Sequence, residues 1–138
     1  MSLERKANFA EGNRIATRLD GDDESLLNTE DIEISVVSPL FNESQSLAEL
    51  VQRITQVLSP RKFEIILVDD GSDDDSWAAI RTLVADDPLR INGLKHRRNF
   101  GKAEALATGF GAARGRYVVT IDADLQDDPA EIRSLIHI

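Results

Sequence analysis

Along the chain, the spacing of apolar residues alternates between that of a strand and that of a helix. Residues 34–37 form a short run rich in β-formers, and Ser38 and Pro39 predict that this strand stops there. Apolar residues then recur three and four positions apart over residues 47–58, which predicts an amphipathic helix. Residues 63–68 form a run that is apolar except at Glu64, which is typical of a strand covered by helices on both faces of its sheet.

The same alternation continues to the end of the chain. It predicts a helix capped by Ser72 or Asp73, a weak strand near residues 89–94, a helix over residues 102–113, a strand over residues 116–121 and a helix after Pro129. The inward positions expected for the helix at 102–113 are Ala103, Leu106, Ala107 and Phe110. Ser46, three residues before Glu49, resembles a capping box for the first helix, although Ser44 could be the cap instead. Because strands and helices alternate, we expect an α/β fold with a Rossmann-like, mostly parallel sheet and helices on both faces.

Length, charge and composition narrow the class of protein. The chain has 138 residues, enough for one domain, and we expect a flexible extension over residues 1–31 before a domain over residues 32–138. A net charge of −9 argues against a nucleic-acid surface. No apolar run approaches the roughly eighteen residues of a membrane span, so no transmembrane segment is expected. The absence of cysteine fits a cytoplasmic protein and excludes thiolate metal sites.

Two carboxylates follow the strand expected near residue 120. Asp122 and Asp124 are two positions apart, so both side chains can turn toward one ion as the chain leaves the sheet. Hard divalent cations take oxygen ligands, and the side chain of Gln126 offers one more. A polar loop that caps the next helix is the plainer interpretation, but Asp127 and Asp128 already supply that.

Polar residues also follow two earlier strands. Asp70 comes directly after the run at 63–68 and could accept a hydrogen bond from a base edge or a ribose hydroxyl. Residues 39–43 follow the first strand and read either as an ordinary strand-to-helix turn or as a wall for a nucleotide. Residues 96–102 are the most basic segment and precede a helix, where Arg97, Arg98 or Lys102 could touch a diphosphate. Solvated surface charges are an equally good interpretation of each basic residue taken alone.

Four segments together resemble a known family. They are residues 37–43 (VSPLFNE), 68–72 (VDDGS), 98–102 (RNFGK) and 122–129 (DADLQDDP). Their order and separation resemble the N-terminal half of an inverting family 2 glycosyltransferase with a GT-A-type fold. Within that family the likeness is to polyprenyl-phosphate glycosyltransferases such as the dolichol-phosphate mannose synthases.

The resemblance implies roles for particular residues. Pro39, Asn42 and Glu43 would line a nucleotide pocket, with Asp70 on the base or ribose. A Mg²⁺ or Mn²⁺ ion would be held against the donor diphosphate by Asp122, Asp124 and Gln126. The implied reaction moves a sugar from a UDP- or GDP-sugar to an acceptor such as a polyprenyl phosphate, at the cytoplasmic face of a membrane. The usual base and the acceptor-binding half of the family would lie beyond Ile138.

Two other functions remain open on sequence alone. A phosphoacceptor receiver domain also places an acidic pair after one strand and an aspartate after a later one, as Asp69, Asp70 and Asp122 do here. A receiver would begin with the acidic strand and carry a lysine beyond the acceptor, and this chain does neither. The third interpretation is a glycosyltransferase-like fragment without catalysis.

Overall fold

The computed structural model describes residues 2–5 and 31–136. Its elements, in chain order, are β1 (Ser2–Arg5), β2 (Ile34–Leu40), α1 (Leu47–Leu58), β3 (Phe63–Asp69), α2 (Ser76–Asp86), β4 (Ile91–Lys95), α3 (Lys102–Ala112), β5 (Tyr117–Thr120) and α4 (Glu131–Ile136). The predicted alternation of strands and helices from residue 34 onward is confirmed.

One twisted layer organises these elements, a sheet with the strand order β1-β5-β2-β3-β4. Strands β5, β2, β3 and β4 are parallel, and β1 pairs antiparallel to β5 at the edge. The predicted α/β class and mostly parallel sheet are confirmed. The flexible extension expected over residues 1–31 differs at residues 2–5, which form β1 because β5 offers them an unpaired edge. For residues 1 and 6–30 that expectation lies outside the described residues.

The two faces of the sheet carry separate apolar clusters. Alternate strand residues such as Val36, Ile65 and Val119 face α1, α2 and α4. The intervening residues, such as Val37 and Ile66, face α3 on the opposite side. Helices therefore cover both faces, as predicted, and the strand run at 63–68 is fully buried for that reason.

Strand β2 does not stop at Pro39, as the sequence had predicted, but continues to Leu40. Successive residues of a strand point their N–H and C=O groups to opposite neighbours. The Leu40 carbonyl accepts a hydrogen bond on the β3 side, so the Pro39 nitrogen faces the β5 side. The pairing of β2 with β5 ends at Val37 and Thr120, two residues before Pro39. The missing N–H of Pro39 therefore costs no hydrogen bond between these strands.

Of the two predicted helix caps, the first has the predicted position but not the predicted side-chain hydrogen bond, and the second is wrong. Ser46 stands at the start of α1, but its hydroxyl makes no cap hydrogen bond and instead donates to the Ala123 carbonyl at 2.6 Å. Helix α2 begins at Ser76 after Asp75, so Ser72 and Asp73 lie in the preceding turn. The Ser46 and Ser72 hydroxyls, which were expected to cap helices, instead form hydrogen bonds between loops at the carboxyl ends of the strands.

Helix α3 lies against the sheet through its smallest residues. Ala105 and Gly109 are buried, whereas Ala103 and Ala107, two of the predicted inward positions, are exposed. A Cβ atom on Gly109 would lie 2.3 Å from Cγ1 of Val37. The helix and the sheet approach so closely that only glycine fits at position 109. The spacing of apolar residues alone could not show that the face with Ala105 and Gly109 is the one that contacts the sheet.

Gly109→Ala tests this packing. We expect it to lower the free energy of unfolding by about 1–2 kcal/mol, because overpacking outweighs the gain in helix propensity. Gly111→Ala on the same helix is the matched control, since a Cβ there meets no atom within 4 Å. It should raise stability by about 0.5–1 kcal/mol. Urea unfolding of both variants checks the difference, and equal stabilities would contradict the close packing.

Candidate functional site

The carboxyl ends of the parallel strands border an open cleft of about 380 Å³. The chain builds β3 and β4 on one side of β2 and then places β5 on its other side, so the winding direction reverses between β2 and β5. Open α/β sheets bind ligands at such a switch point. The cleft is lined by Pro39, Leu40, Phe41, Glu43, Asp70, Asn99, Gly101, Lys102, Ala105, Asp122, Ala123 and Asp124.

The acidic loop, residues 121–128, alternates anchors with carboxylates. Ile121 and Ala123 are buried, and the Ile121 N–H donates to a backbone carbonyl of β2 at 3.1 Å. The Ala123 carbonyl accepts the 2.6 Å hydrogen bond from Ser46. Between and after these anchors, Asp122 and Asp124 line the cleft. The alternation holds two like charges on the cleft side, an arrangement that needs a cation to offset their repulsion.

Lys102 supplies a positive charge at this point. It is the first residue of α3, and its Nζ lies 2.8 Å from Oδ1 of Asp122. The hydrogen bond and charge of Asp122, with smaller contributions from Asp127 and Asp124, raise the pKa of Lys102. The ammonium therefore stays charged at neutral pH and faces the acidic loop.

The Asp70 carboxylate holds the segment that leads into α3. Its Oδ1 accepts the Phe100 N–H and lies 2.9 Å from Nδ1 of His96, and its Oδ2 accepts the Gly101 N–H at 2.9 Å. The other ring nitrogen of His96 lies 2.8 Å from the Thr108 hydroxyl on α3. Burial pushes the pKa of Asp70 upward, but these hydrogen bonds together outweigh it and hold that pKa below its ordinary value. The carboxylate is thus an ionised anchor for residues 96–101.

Residues 41–46 are fixed by the turn after β3. The Asn42 N–H donates to the Ser72 hydroxyl at 2.8 Å, and Oδ1 of Asn42 accepts the Asp73 N–H at 3.0 Å. The Glu43 N–H donates to the Ser76 hydroxyl at 3.0 Å. Asn42 carries a positive φ of 55°, a conformation that asparagine tolerates better than most residues. This interlock leaves the Glu43 side chain on the wall of the cleft.

The structure brings together six of the ten side chains predicted for the site. They are Pro39, Glu43, Asp70, Lys102, Asp122 and Asp124. The other four do not line the cleft: Asn42 locks the loop, Arg98 stacks over the Phe100 ring at 4.7 Å, and Arg97 and Gln126 are exposed. The Gln126 backbone N–H donates to Oδ1 of Asp124 at 3.1 Å.

Sequence reasoning missed His96, for which it assigned no role beyond its place in the basic segment 96–102. Its partners are Asp70, directly after β3, and Thr108 in α3, which lie 26 and 12 residues away in sequence. No local sequence pattern could therefore predict these contacts.

The donor set fits a Mg²⁺-type ion that shares its ligands with a substrate. Within residues 2–5 and 31–136, no three His, Cys, Asp or Glu side chains converge on a point that could hold a metal ion. Mg²⁺ is usually held by one or two carboxylates, with water and substrate phosphates completing its shell. Asp122 and Asp124 meet that requirement with hard oxygen donors.

Residues 35–138 match glycosyl transferase family 2, and the chain belongs to this family. It is 42% identical over 107 residues to the dodecaprenyl-phosphate galacturonate synthase of Rhizobium johnstonii, a match covering 76% of this chain and 32% of that protein. It is 41% identical over 113 residues to the undecaprenyl-phosphate 4-deoxy-4-formamido-L-arabinose transferase of Aeromonas hydrophila, covering 80% of this chain and 35% of the relative. The predicted family is confirmed, and the receiver-like alternative is not favoured. Both of these relatives are named as polyprenyl-phosphate sugar transferases, the branch that the sequence resembles.

Solved structures agree on the fold. The mannosyltransferase PcManGT of Pyrobaculum calidifontis, in complex with GDP-Man and Mn²⁺, superposes with a TM-score of 0.62 at 26% identity, over 85% of this chain and 36% of that one. S. aureus TarS 1–349, in complex with UDP-GlcNAc, gives a TM-score of 0.65 at 20% identity, over 77% of this chain and 30% of that one. The predicted GT-A-type fold is confirmed. The chain spans about a third of the length of the curated relatives it matches.

None of the helices in the described part of the chain has both the length and the apolar character needed to cross a membrane.

Proposed function

We propose that this chain supplies the donor-binding side of an inverting glycosyltransferase that takes a sugar from a UDP- or GDP-sugar and delivers it to a polyprenyl phosphate. The observation that carries the proposal is the cleft at the switch point, where Asp122, Asp124 and Lys102 meet. Ligands of open α/β sheets bind at the carboxyl ends of the strands, where this cleft lies. A nucleoside diphosphate also needs positive charge, which Lys102 and a divalent ion held by Asp122 and Asp124 would supply. Family membership over residues 35–138 supports the reaction type.

Each wall of the cleft has a proposed task. Pro39, Phe41 and Glu43 border the nucleotide, and the locked turn around Asn42 keeps this wall in place. The Gly101 N–H uses one of the two lone pairs of Asp70 Oδ2. The other lone pair is available to a ribose hydroxyl or a base edge. Lys102, which lines the cleft, would neutralise part of the charge of the diphosphate. Arg98, which stacks over the Phe100 ring outside the cleft lining, is proposed as a second positive charge.

Asp122 and Asp124 are proposed to hold Mg²⁺ or Mn²⁺, with Gln126 as a further oxygen donor. The mannosyltransferase with GDP-Man and Mn²⁺ supports a divalent ion in this fold. When bound, such an ion acts as a Lewis acid on the departing nucleoside diphosphate. The two carboxylates would fix the position of the ion before the bond between sugar and diphosphate breaks, because negative charge builds on the departing nucleoside diphosphate in the transition state.

The acceptor is proposed from the relatives. Both curated relatives described above act on a polyprenyl phosphate by name. A phosphate monoester has a second pKa near 6, so it is largely ionised at neutral pH and attacks without first losing a proton to the enzyme. A catalytic base and an acceptor half beyond Ile138 remain the expectation, with the reaction at the cytoplasmic face of a membrane.

Calorimetry with UDP-glucose, UDP-GlcNAc and GDP-mannose tests the donor proposal. We expect saturable binding of at least one of them in the presence of Mn²⁺, and at least tenfold weaker binding in EDTA. Circular dichroism on the same sample verifies folding. A folded protein that binds none of these nucleotides, with or without Mn²⁺, would contradict the proposal.

A further inference from the structure

The ammonium of Lys102 contacts one carboxylate of the cleft and interacts electrostatically with two others. Nζ of Lys102 lies 2.8 Å from Oδ1 of Asp122, and Asp124 lines the same cleft. The charges of Asp127 and Asp124 also act on Lys102 and help to raise its pKa. Lys102 therefore already offsets the negative charge that a divalent cation would offset.

We propose that Lys102 is an exchangeable counter-ion, which neutralises Asp122 in the ligand-free protein and turns to the diphosphate when a metal–nucleotide complex binds. This inference rests on the proposed function and adds an order to it. The divalent ion and the nucleotide bind as a pair, because the nucleotide draws away the lysine that competes with the ion.

The side chain of Lys102 has the freedom this exchange requires. It is 63% exposed, and the Asp122 side chain is 47% exposed, so neither group is locked by packing. The backbone of Lys102 is fixed, because it opens α3 directly after Gly101, whose N–H is held by Asp70. Because the backbone is fixed and the four-carbon side chain is flexible, the ammonium can change its partner within the cleft without any movement of the helix.

The exchange has a thermodynamic consequence. A divalent ion at Asp122 meets the repulsion of Lys102 unless that ammonium leaves, so the metal alone binds weakly. A diphosphate gives the ammonium a new partner and removes this repulsion. Because coupling between two ligands is reciprocal, the metal must strengthen nucleotide binding by the same factor as the nucleotide strengthens metal binding.

Mn²⁺ titration followed by electron paramagnetic resonance, which detects the free ion, tests the proposal without nucleotide. Lys102→Met and Lys102→Gln should each bind Mn²⁺ about tenfold more tightly than the unmodified chain at low salt. Lys102→Arg keeps the charge and should leave the Mn²⁺ affinity unchanged. Lys62→Met is the matched control, because Lys62 is also exposed and paired with an aspartate, Asp31 at 3.6 Å, at the opposite end of β3.

The second arm measures UDP and GDP binding in EDTA. Lys102→Met should bind the preferred nucleotide at least fivefold more weakly than the unmodified chain, since it has lost a charge that the diphosphate uses. Tighter metal binding with weaker nucleotide binding is a pattern that a purely structural lysine does not produce.

Equal or weaker Mn²⁺ binding by the two neutral variants, including no detectable binding, would overturn the inference. If no nucleotide binds while the neutral variants still gain Mn²⁺ affinity, the proposed donor fails and the counter-ion role stands. If nucleotide binds with Mn²⁺ but the neutral variants show no gain in Mn²⁺ affinity, the proposed donor stands and the counter-ion role of Lys102 fails.

Discussion

Replacing Glu64 by alanine should lower the free energy of unfolding by about 3–5 kcal/mol, the largest stability effect we expect from one side chain. Glu64 lies in β3 and is 1% exposed. Its Oε2 accepts hydrogen bonds at 2.6 Å from the Ser35 hydroxyl and the Arg114 N–H, and its Oε1 accepts two from the Arg114 guanidinium at 3.1 and 3.2 Å. Removing the carboxylate takes the Glu64 acceptor away from the partly buried Arg114 guanidinium, the Arg114 N–H and the Ser35 hydroxyl.

Denaturant unfolding of Glu64→Ala beside Glu33→Ala checks this expectation. Glu33 also pairs with an arginine, Arg61 at 2.6 Å, but that pair is about one third exposed. Its loss should cost less than about 1 kcal/mol. A Glu64→Ala variant within 1 kcal/mol of the unmodified chain would show that the buried pair does not anchor the connection between α3 and β5 to β3.

Asp70→Ala should weaken nucleotide binding by at least tenfold and lower the free energy of unfolding by about 2–4 kcal/mol. The Phe100 and Gly101 N–H groups and the His96 ring all lose their acceptor. Residues 96–101 are then released, and with them the position of Lys102. Calorimetry and urea unfolding measure the two effects.

Asp73→Ala is the matched control, because Asp73 is exposed and contacts Asn42 through its backbone N–H. It should change neither quantity appreciably. If Asp70→Ala binds nucleotide as tightly as Asp73→Ala does, Asp70 does not position the cleft.

Acid should remove the same anchor. The folded-state pKa of Asp70 is lowered, so its contribution to stability is present above the unfolded-state pKa of about 3.9 and is lost as pH falls through the folded-state value. The stability difference between the unmodified chain and Asp70→Ala should therefore shrink below about pH 4. A difference that stays constant from pH 7 to pH 3 would contradict this role.

The fold was largely predictable because its signals are local. Helix α1 and strand β3 have the spacing and apolar content of their elements, and both have the predicted position. What failed depended on partners distant in sequence. Pro39 continues β2 only because β5 has already ended, and Gly109 faces the sheet because Val37 lies too close for a larger residue. Glu64 broke the apolar pattern of β3, but nothing near it in sequence revealed Arg114.

The site was predictable in part for a similar reason. Strand ends in a parallel sheet converge, so carboxylates that follow two strands were expected to share a cleft, and Asp70, Asp122 and Asp124 do. The sequence could not show that Asn42 holds its loop by accepting a hydrogen bond from Asp73. Nor could it show that His96 links Asp70 to Thr108, or that Lys102 contacts Asp122. Those contacts depend on how α3 docks against the sheet.

The most direct test of the central claim is the dependence of nucleotide affinity on the metal in the chain with and without its two cleft carboxylates. We expect Mn²⁺ to tighten binding of the preferred UDP- or GDP-sugar at least tenfold in the unmodified chain and by less than twofold in Asp122→Asn/Asp124→Asn. An equal Mn²⁺ effect in both proteins, with both folded, would contradict the claim that these carboxylates hold the ion against the donor.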